Sequence, residues 1–129
     1  KGTFYKYIVK AYKIVDGKKV VTDTSVSIHV ITQGSKYGIA KSVSVTKIGN
    51  KKNASKITLK KGKTAQITAK EIKKDKKIRH HRKLCYESCN TAVATVTPEG
   101  LIQAVGKGTC TIWVYAQNGV YVALTVTVK

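Results

Sequence analysis

The last third of the chain alternates between apolar and other residues with a period of two, the pattern of a half-buried β-strand. One alternating run covers residues 109–116 and a second covers 120–128, with Gln117-Asn118-Gly119 between them. The predicted inward faces consist of Cys110, Ile112, Val114 and Ala116 in the first run and of Val120, Val122, Leu124, Val126 and Val128 in the second. The pattern therefore predicts two antiparallel strands joined by a short loop.

The length of that loop sets the register of the two strands. A two-residue Asn-Gly loop would put the two apolar rows on opposite faces, because a shift of one residue exchanges the faces of a strand. A three-residue loop over 117–119, with its glycine in the left-handed conformation, pairs Val114 with Val122. The same register places Tyr115 beside Tyr121 on the outer face. We therefore expect the three-residue loop.

Shorter runs between residues 42 and 105 predict further strands. The stretches 57–59 and 64–69 would form a hairpin through a turn at 60–63. Pro98-Glu99-Gly100 is a turn sequence in which the glycine can take a positive φ. The remaining predicted strands cover 42–48, 84–88, 92–97 and 101–105.

One segment of the chain, 71–83, is nearly all charged. Its isoleucines, Ile72 and Ile78, are too sparse for the apolar stripe of a helix. We therefore expect an extended, solvated excursion between strands.

The first 32 residues read as a separate hairpin around the turn Asp16-Gly17. Its strands would be 3–12 and 18–32, the second interrupted near Asp23-Thr24-Ser25. A lone two-stranded ribbon is marginal in water. We therefore expect it to pack on missing upstream strands, on the following domain or on a neighbouring chain.

The stretch Y-K-Y-I-V-K-A (5–11) resembles the penultimate strand of fibronectin type III domains, and 26–32 would be the last strand. The resemblance covers about a third of such a domain, and the earlier strands are absent from this chain. It implies that residues 1–40 hold a partial fibronectin type III-like hairpin and a connector.

A second resemblance covers residues 41–129, where several motifs occur in order. These motifs are I-T-L-K-K-G-K-T-A-Q-I-T-A (57–69), Y-E-S-C-N-T-A-V-A-T-V (86–96), G-L-I-Q-A-V (100–105) and G-K-G-T-C-T-I (106–112). They resemble group 2 bacterial immunoglobulin-like domains, although 71–83 is longer and more charged than usual and Tyr86 stands where Trp is common. The resemblance implies an all-β chain with an immunoglobulin-like sandwich, a bacterial cell-surface or secreted location, and work as a spacer or adhesion module beside neighbouring domains.

The charge of the chain favours anionic partners. It has 25 Lys and Arg against 6 Asp and Glu, a formal net charge of +19. Such a field attracts anionic cell-wall polymers, acidic host glycans or nucleic acid. Only Arg79 and Arg82 can make bidentate contacts, so we expect solvation or loose polyanion binding and no specific nucleic-acid partner.

Two features bear on the origin and setting of the sequence. It has no signal peptide and no Met, and we expect an internal piece of a longer protein. No apolar run approaches the roughly 20 residues of a membrane-spanning helix, so we expect no membrane insertion.

Candidate catalytic and metal-binding residues are few. His80, His81, Cys85 and Cys89 are close in sequence but lack the ligand spacing of a structural zinc site. Nucleophilic catalysis would also need an orienting group and an oxyanion site, to which nothing else in the chain points. We therefore expect that the protein is not an enzyme and that it binds no metal or cofactor. Cys110 should be a buried thiol. The sequence does not decide whether Cys85 and Cys89 form a disulfide.

The candidate binding residues form two groups. Trp113, Tyr115 and Tyr121 share the predicted outer face, where exposed rings could grip sugars or a partner protein. Alternatively, the N-terminal hairpin or the 71–83 segment covers them. The basic group that could border this surface consists of Lys73, Lys74, Lys76, Lys77, Arg79, Arg82 and Lys83. The functional hypotheses are a non-catalytic spacer and adhesion module, a carbohydrate-binding module, and a non-specific polyanion binder.

Overall fold

The computed structural model describes residues 3–25, 27–32, 40–74 and 83–129, and within them all regular structure is β-strand. The strands are β1 (Phe4–Tyr7), β2 (Lys10–Val15), β3 (Lys18–Thr24), β4 (Ile28–Ile31), β5 (Ala40–Ile48), β6 (Lys51–Lys52), β7 (Lys56–Leu59), β8 (Thr64–Lys73), β9 (Cys85–Ser88), β10 (Ala94–Val96), β11 (Leu101–Ala104), β12 (Gly108–Tyr115) and β13 (Tyr121–Val128). The predicted all-β fold is confirmed. Over these residues no helix has the length and apolar character needed to cross a membrane.

The first four strands form a long two-stranded ribbon, as the sequence predicts. Strand β2 pairs with β3, and β1 pairs with β4. Asp16 and Gly17 have φ angles of 50° and 75°, the left-handed pair that a tight hairpin turn requires. The two halves of the ribbon meet where the Val9 N–H donates to Ser25 Oγ at 3.0 Å and the Ser25 N–H donates to the Val9 carbonyl at 2.9 Å.

Residues 40–129 form a two-layer sandwich. One sheet has the strand order β10-β11-β8-β5-β6, and the other has the order β7-β13-β12-β9. Apolar side chains from both sheets fill the space between them, which is why the alternating pattern follows the strands. The largest fully buried residues are Ile48, Ile102, Ile112, Val114, Leu124, Val126 and Val128. The predicted immunoglobulin-like sandwich is confirmed.

The hairpin of β12 and β13 has the predicted register. Val114 lies opposite Val122, and Tyr115 lies opposite Tyr121. The three-residue loop closes with the Ala116 N–H donating to the Val120 carbonyl at 2.9 Å, and its Gly119 has a φ of 79°.

The prediction that 57–59 and 64–69 form a hairpin is wrong. Strand β7 pairs in parallel with β13 in the four-stranded sheet, whereas β8 lies between β11 and β5 in the other sheet. The connecting segment crosses from one layer to the other, and the Gly62 N–H donates to the Ala104 carbonyl at 2.9 Å on the way. This crossing lets Ile57 and Ile67 face the core from opposite sides, where both are buried.

The charged excursion also begins later than predicted. Glu71 and Ile72 belong to β8, where they pair with Val43 and Ser42 of β5. The core of the excursion, 75–82, and the connector 33–39 lie outside the described residues.

Candidate functional site

The three predicted aromatic residues lie together on the outer face of the four-stranded sheet. Strand β9 pairs with β12 on the side away from β13, with Glu87 opposite Trp113 and Cys85 opposite Tyr115. The outer face therefore adds a carboxylate to the aromatic cluster.

Tyr115 and Glu87 form the polar contact of this cluster. The Tyr115 hydroxyl donates to Glu87 Oε1 at 2.8 Å. Burial, followed by this hydrogen bond and by the negative charge of Glu87, raises the pKa of Tyr115 far above its ordinary value. The phenol therefore stays protonated and holds the carboxylate in place. A carboxylate has about four acceptor positions, so Tyr115 occupies only part of the hydrogen-bonding capacity of Glu87.

The N-terminal ribbon forms the opposite wall of a cleft over these aromatics. Ile28 packs against the β12–β13 loop, with its Cγ2 3.5 Å from the position that a Cβ on Gly119 would take. The cleft has a volume of about 500 Å³. Its lining residues are Val9, Ser25 and Ile28 from the ribbon and Glu87, Trp113, Tyr115, Gly119 and Tyr121 from the sandwich. We call this space the aromatic cleft.

Coverage by the ribbon is partial. Trp113 and Tyr115 are half-buried, while Tyr121 remains 62% exposed. Of the three packing arrangements expected for the ribbon, the structure shows contact with the following domain. The aromatic faces are accessible from the open side of the cleft.

The basic residues that the structure describes do not line the aromatic cleft. Lys73 and Lys74 are exposed at the end of β8, in the opposite sheet. Lys83 is exposed ahead of β9 and borders a separate surface groove with Tyr86 and Glu99. Lys76, Lys77, Arg79 and Arg82 lie outside the described residues.

Five of the described lining residues of the cleft were not predicted as site residues: Val9, Ser25, Ile28, Glu87 and Gly119. Glu87 lies between Tyr86 and Ser88, which face inward, so the alternation along β9 predicts that the Glu87 side chain faces outward. The pairing of β9 with β12 is a long-range contact that alternation within one strand does not specify. The position of the ribbon is likewise a tertiary contact between segments distant in sequence.

None of the three cysteines forms a disulfide. Cys110 is buried, as predicted, and burial raises the pKa of its thiol. Cys89 Sγ accepts a hydrogen bond from the Thr111 N–H at 3.1 Å. Four residues along an extended strand separate Cα atoms by about 13 Å, beyond the roughly 7 Å limit for a disulfide. The Cys85–Cys89 bridge left open by the sequence is therefore not formed.

Within the described residues, no three or more His, Cys, Asp or Glu side chains lie in a group that could hold a metal ion. His80 and His81, which were weighed with Cys85 and Cys89 as zinc ligands, lie outside those residues.

The two packed sheets define a β-sandwich module, and its candidate binding site, the aromatic cleft, lies on the outer face of one sheet. Residues 39–128 match the family model described as bacterial Ig-like domain (group 2). The chain belongs to this family, and the predicted resemblance is confirmed. The fibronectin type III resemblance of the ribbon stays a prediction.

Solved structures of the S-layer protein SbsC are similar to this chain. SbsC domains 4 and 5 share 16% identity, with 97% of this chain and 75% of that chain covered and a TM-score of 0.48. The structure of rSbsC shares 19% identity, with 98% of this chain and 22% of that chain covered and a TM-score of 0.48. This chain therefore spans about a fifth of the longer S-layer chain. No protein of curated function matches the chain.

Proposed function

We propose that this protein is a non-catalytic structural module of a bacterial cell-surface protein, acting as a spacer and adhesion element outside the cell. Membership of the group 2 bacterial Ig-like family supports this proposal. The observation that carries it is that the start of β5, the first strand of the sandwich, and the end of β13, the last strand, lie at opposite ends of the sandwich, which we call its poles.

The start of the sandwich lies at the pole of the β12–β13 loop. Asn118 Nδ2, in that loop, donates to the carbonyl of Ala40 at 3.0 Å. The end of β13 lies at the other pole, where the Lys61 N–H donates to the Lys129 carbonyl at 3.0 Å. The eight residues of β13 span about 27 Å between these poles. A chain that enters at one pole and leaves at the other places the sandwich in series with its neighbours.

The pairing of β7 with β13 suits a module under tension. The two strands are parallel, with Lys56 opposite Thr125 and Leu59 opposite Val128. Tension between Ala40 and Lys129 runs along these strands, so it loads their hydrogen bonds together in shear. Tension applied at one end of an interface would instead break its bonds one after another.

Force spectroscopy tests the proposal through two pulling geometries of the same protein. Handles at Lys41 and Lys129 lie at opposite poles and should give a high-force, single-step rupture. Handles at Lys61 and Lys129 lie at the same pole and should peel β13 from β7 at clearly lower force. Equal, low forces in both geometries would contradict the proposed spacer role under tension.

The net charge of +19 supports the adhesion half of the proposal. It would keep the module close to anionic wall polymers or acidic host glycans without a dedicated site, because a broad field attracts polyanions irrespective of their sequence or structure.

A further inference from the structure

We propose that the aromatic cleft binds an uncharged saccharide whose rings stack on Trp113 and Tyr121 while its hydroxyls donate to Glu87. The cleft lies on the outer face of the sheet and reaches the β12–β13 loop at one pole. This site is still independent of the spacer role, because none of the described lining residues belongs to the β7–β13 pairing that carries the tension, Lys56–Leu59 with Thr125–Val128.

The lining has the composition of a small-ligand site. Ligand pockets are typically about 300–1,000 Å³, mostly apolar and aromatic, with a few placed polar groups. The aromatic cleft, at about 500 Å³, combines three aromatic side chains with the carboxylate of Glu87. A sugar ring with equatorial substituents offers a flat C–H face for an aromatic ring and hydroxyl donors at its edge. These are the two kinds of contact that the lining provides.

The charge of the lining selects against anionic sugars. None of the described lining residues is Lys, Arg or His, and Glu87 is the charged residue among them. The cleft therefore presents a local negative charge on a chain whose net charge is +19. An acidic glycan attracted by the overall field would be repelled at this position, so the two kinds of binding are separable.

The ribbon completes the site by giving the flat aromatic face a second wall. Reciprocal hydrogen bonds between Val9 and Ser25 hold the two strands of the ribbon together where these residues line the cleft. The contact of Ile28 with the β12–β13 loop fixes that wall relative to Tyr121. A ligand in the cleft would touch both the ribbon and the sandwich.

Tryptophan fluorescence tests binding directly, because Trp113 is the single tryptophan of the chain. The probes are cellotetraose and tetra-N-acetylchitotetraose, both β-linked with equatorial substituents, and a heparin oligosaccharide of similar length. We expect a saturable fluorescence change with at least one neutral probe that persists at high salt. We expect no saturable change at the cleft with heparin.

Matched variants locate the site. Tyr121→Ala should weaken binding by about tenfold, since one aromatic contact is worth roughly that factor. Tyr12→Ala is the control, because Tyr12 is a similarly exposed tyrosine of the ribbon, at 54%, that does not line the cleft. Val9→Ala should weaken binding by about threefold, while Val20→Ala, an exposed valine of the same ribbon, should not.

Three results would overturn the inference: no saturable change with either neutral probe, neutral-probe binding that disappears with salt, or equal losses in Tyr121→Ala and Tyr12→Ala. Thermal unfolding of each variant is measured as a control, and an unchanged midpoint shows that a loss of binding is not a loss of folding. None of these outcomes affects the force measurement, so the saccharide site and the spacer role can fail separately.

Discussion

At the scale of single residues, Gly100 shows how a turn glycine is tied to the core. Its φ is 83°, and a Cβ at this position would lie 2.9 Å from ring carbons of Tyr86. Pro98-Glu99-Gly100 is recognisable as a turn in the sequence, but the approach of Tyr86 is a tertiary contact that turn composition cannot reveal. Two constraints therefore favour glycine at this position: the positive φ and the close approach of the Tyr86 ring.

We expect Gly100→Ala to destabilise the sandwich by about 2–3 kcal/mol, because it combines a left-handed alanine with a displaced aromatic ring. Chemical denaturation measures the change. Gly62→Ala is the control, since Gly62 has a similar φ of 82° but no neighbour within 4 Å of the added Cβ. Equal losses in the two variants would show that the Tyr86 contact contributes nothing.

Tyr115 gives a prediction for alkaline pH. Its folded-state pKa is raised by burial and by Glu87, so the stability it contributes is fully present below the ordinary pKa of tyrosine, near 10. That stability is lost as pH rises through the folded-state pKa. Spectrophotometric titration should show a late-ionising phenol that disappears in Tyr115→Phe. A loss of amplitude near the ordinary tyrosine pKa of about 10, with the late phase undiminished, would contradict the hydrogen-bonded geometry.

At the scale of elements, the β12–β13 hairpin was predictable because local pattern and loop length determine it together. Strands β7 and β8 were assigned correctly, but their pairing was not. Alternation reports which face of a strand is buried and does not report which sheet contains it. A short basic turn fits a hairpin and a crossover between layers equally well, so Ile57 and Ile67 give the same pattern in both arrangements.

The pair of Ile112 and Leu124 in the β12–β13 hairpin should contribute strongly to the stability of the sandwich. Leu124 lies opposite Ile112 and is 1% exposed, so we expect Leu124→Ala to cost about 2–5 kcal/mol. Leu101→Ala is the same substitution at a position that is 37% exposed and should cost well under half as much. Denaturant unfolding of both variants measures this, and similar losses would place Leu124 outside the core.

At the scale of the whole molecule, charge and shape serve different kinds of binding. The overall field predicts that heparin, as a test polyanion, binds weakly and that its affinity falls steeply with added salt. We expect Trp113→Ala to leave this binding unchanged, because no basic residue lines the aromatic cleft in the part of the chain that the structure describes. Affinity measurements over a salt series check the prediction, and a loss of heparin binding in the variant would place the polyanion in the cleft.

The spacer role depends on the separation of the two poles of the sandwich, and a distance measurement tests it most directly. Pulsed spin-label spectroscopy can use non-natural amino acids, because the chain has three cysteines of its own. Labels at Lys41 and Lys129 should give a distance near that of a full strand, about 27 Å, while labels at Lys61 and Lys129 should give a much shorter one. Similar short distances for both pairs would contradict the account.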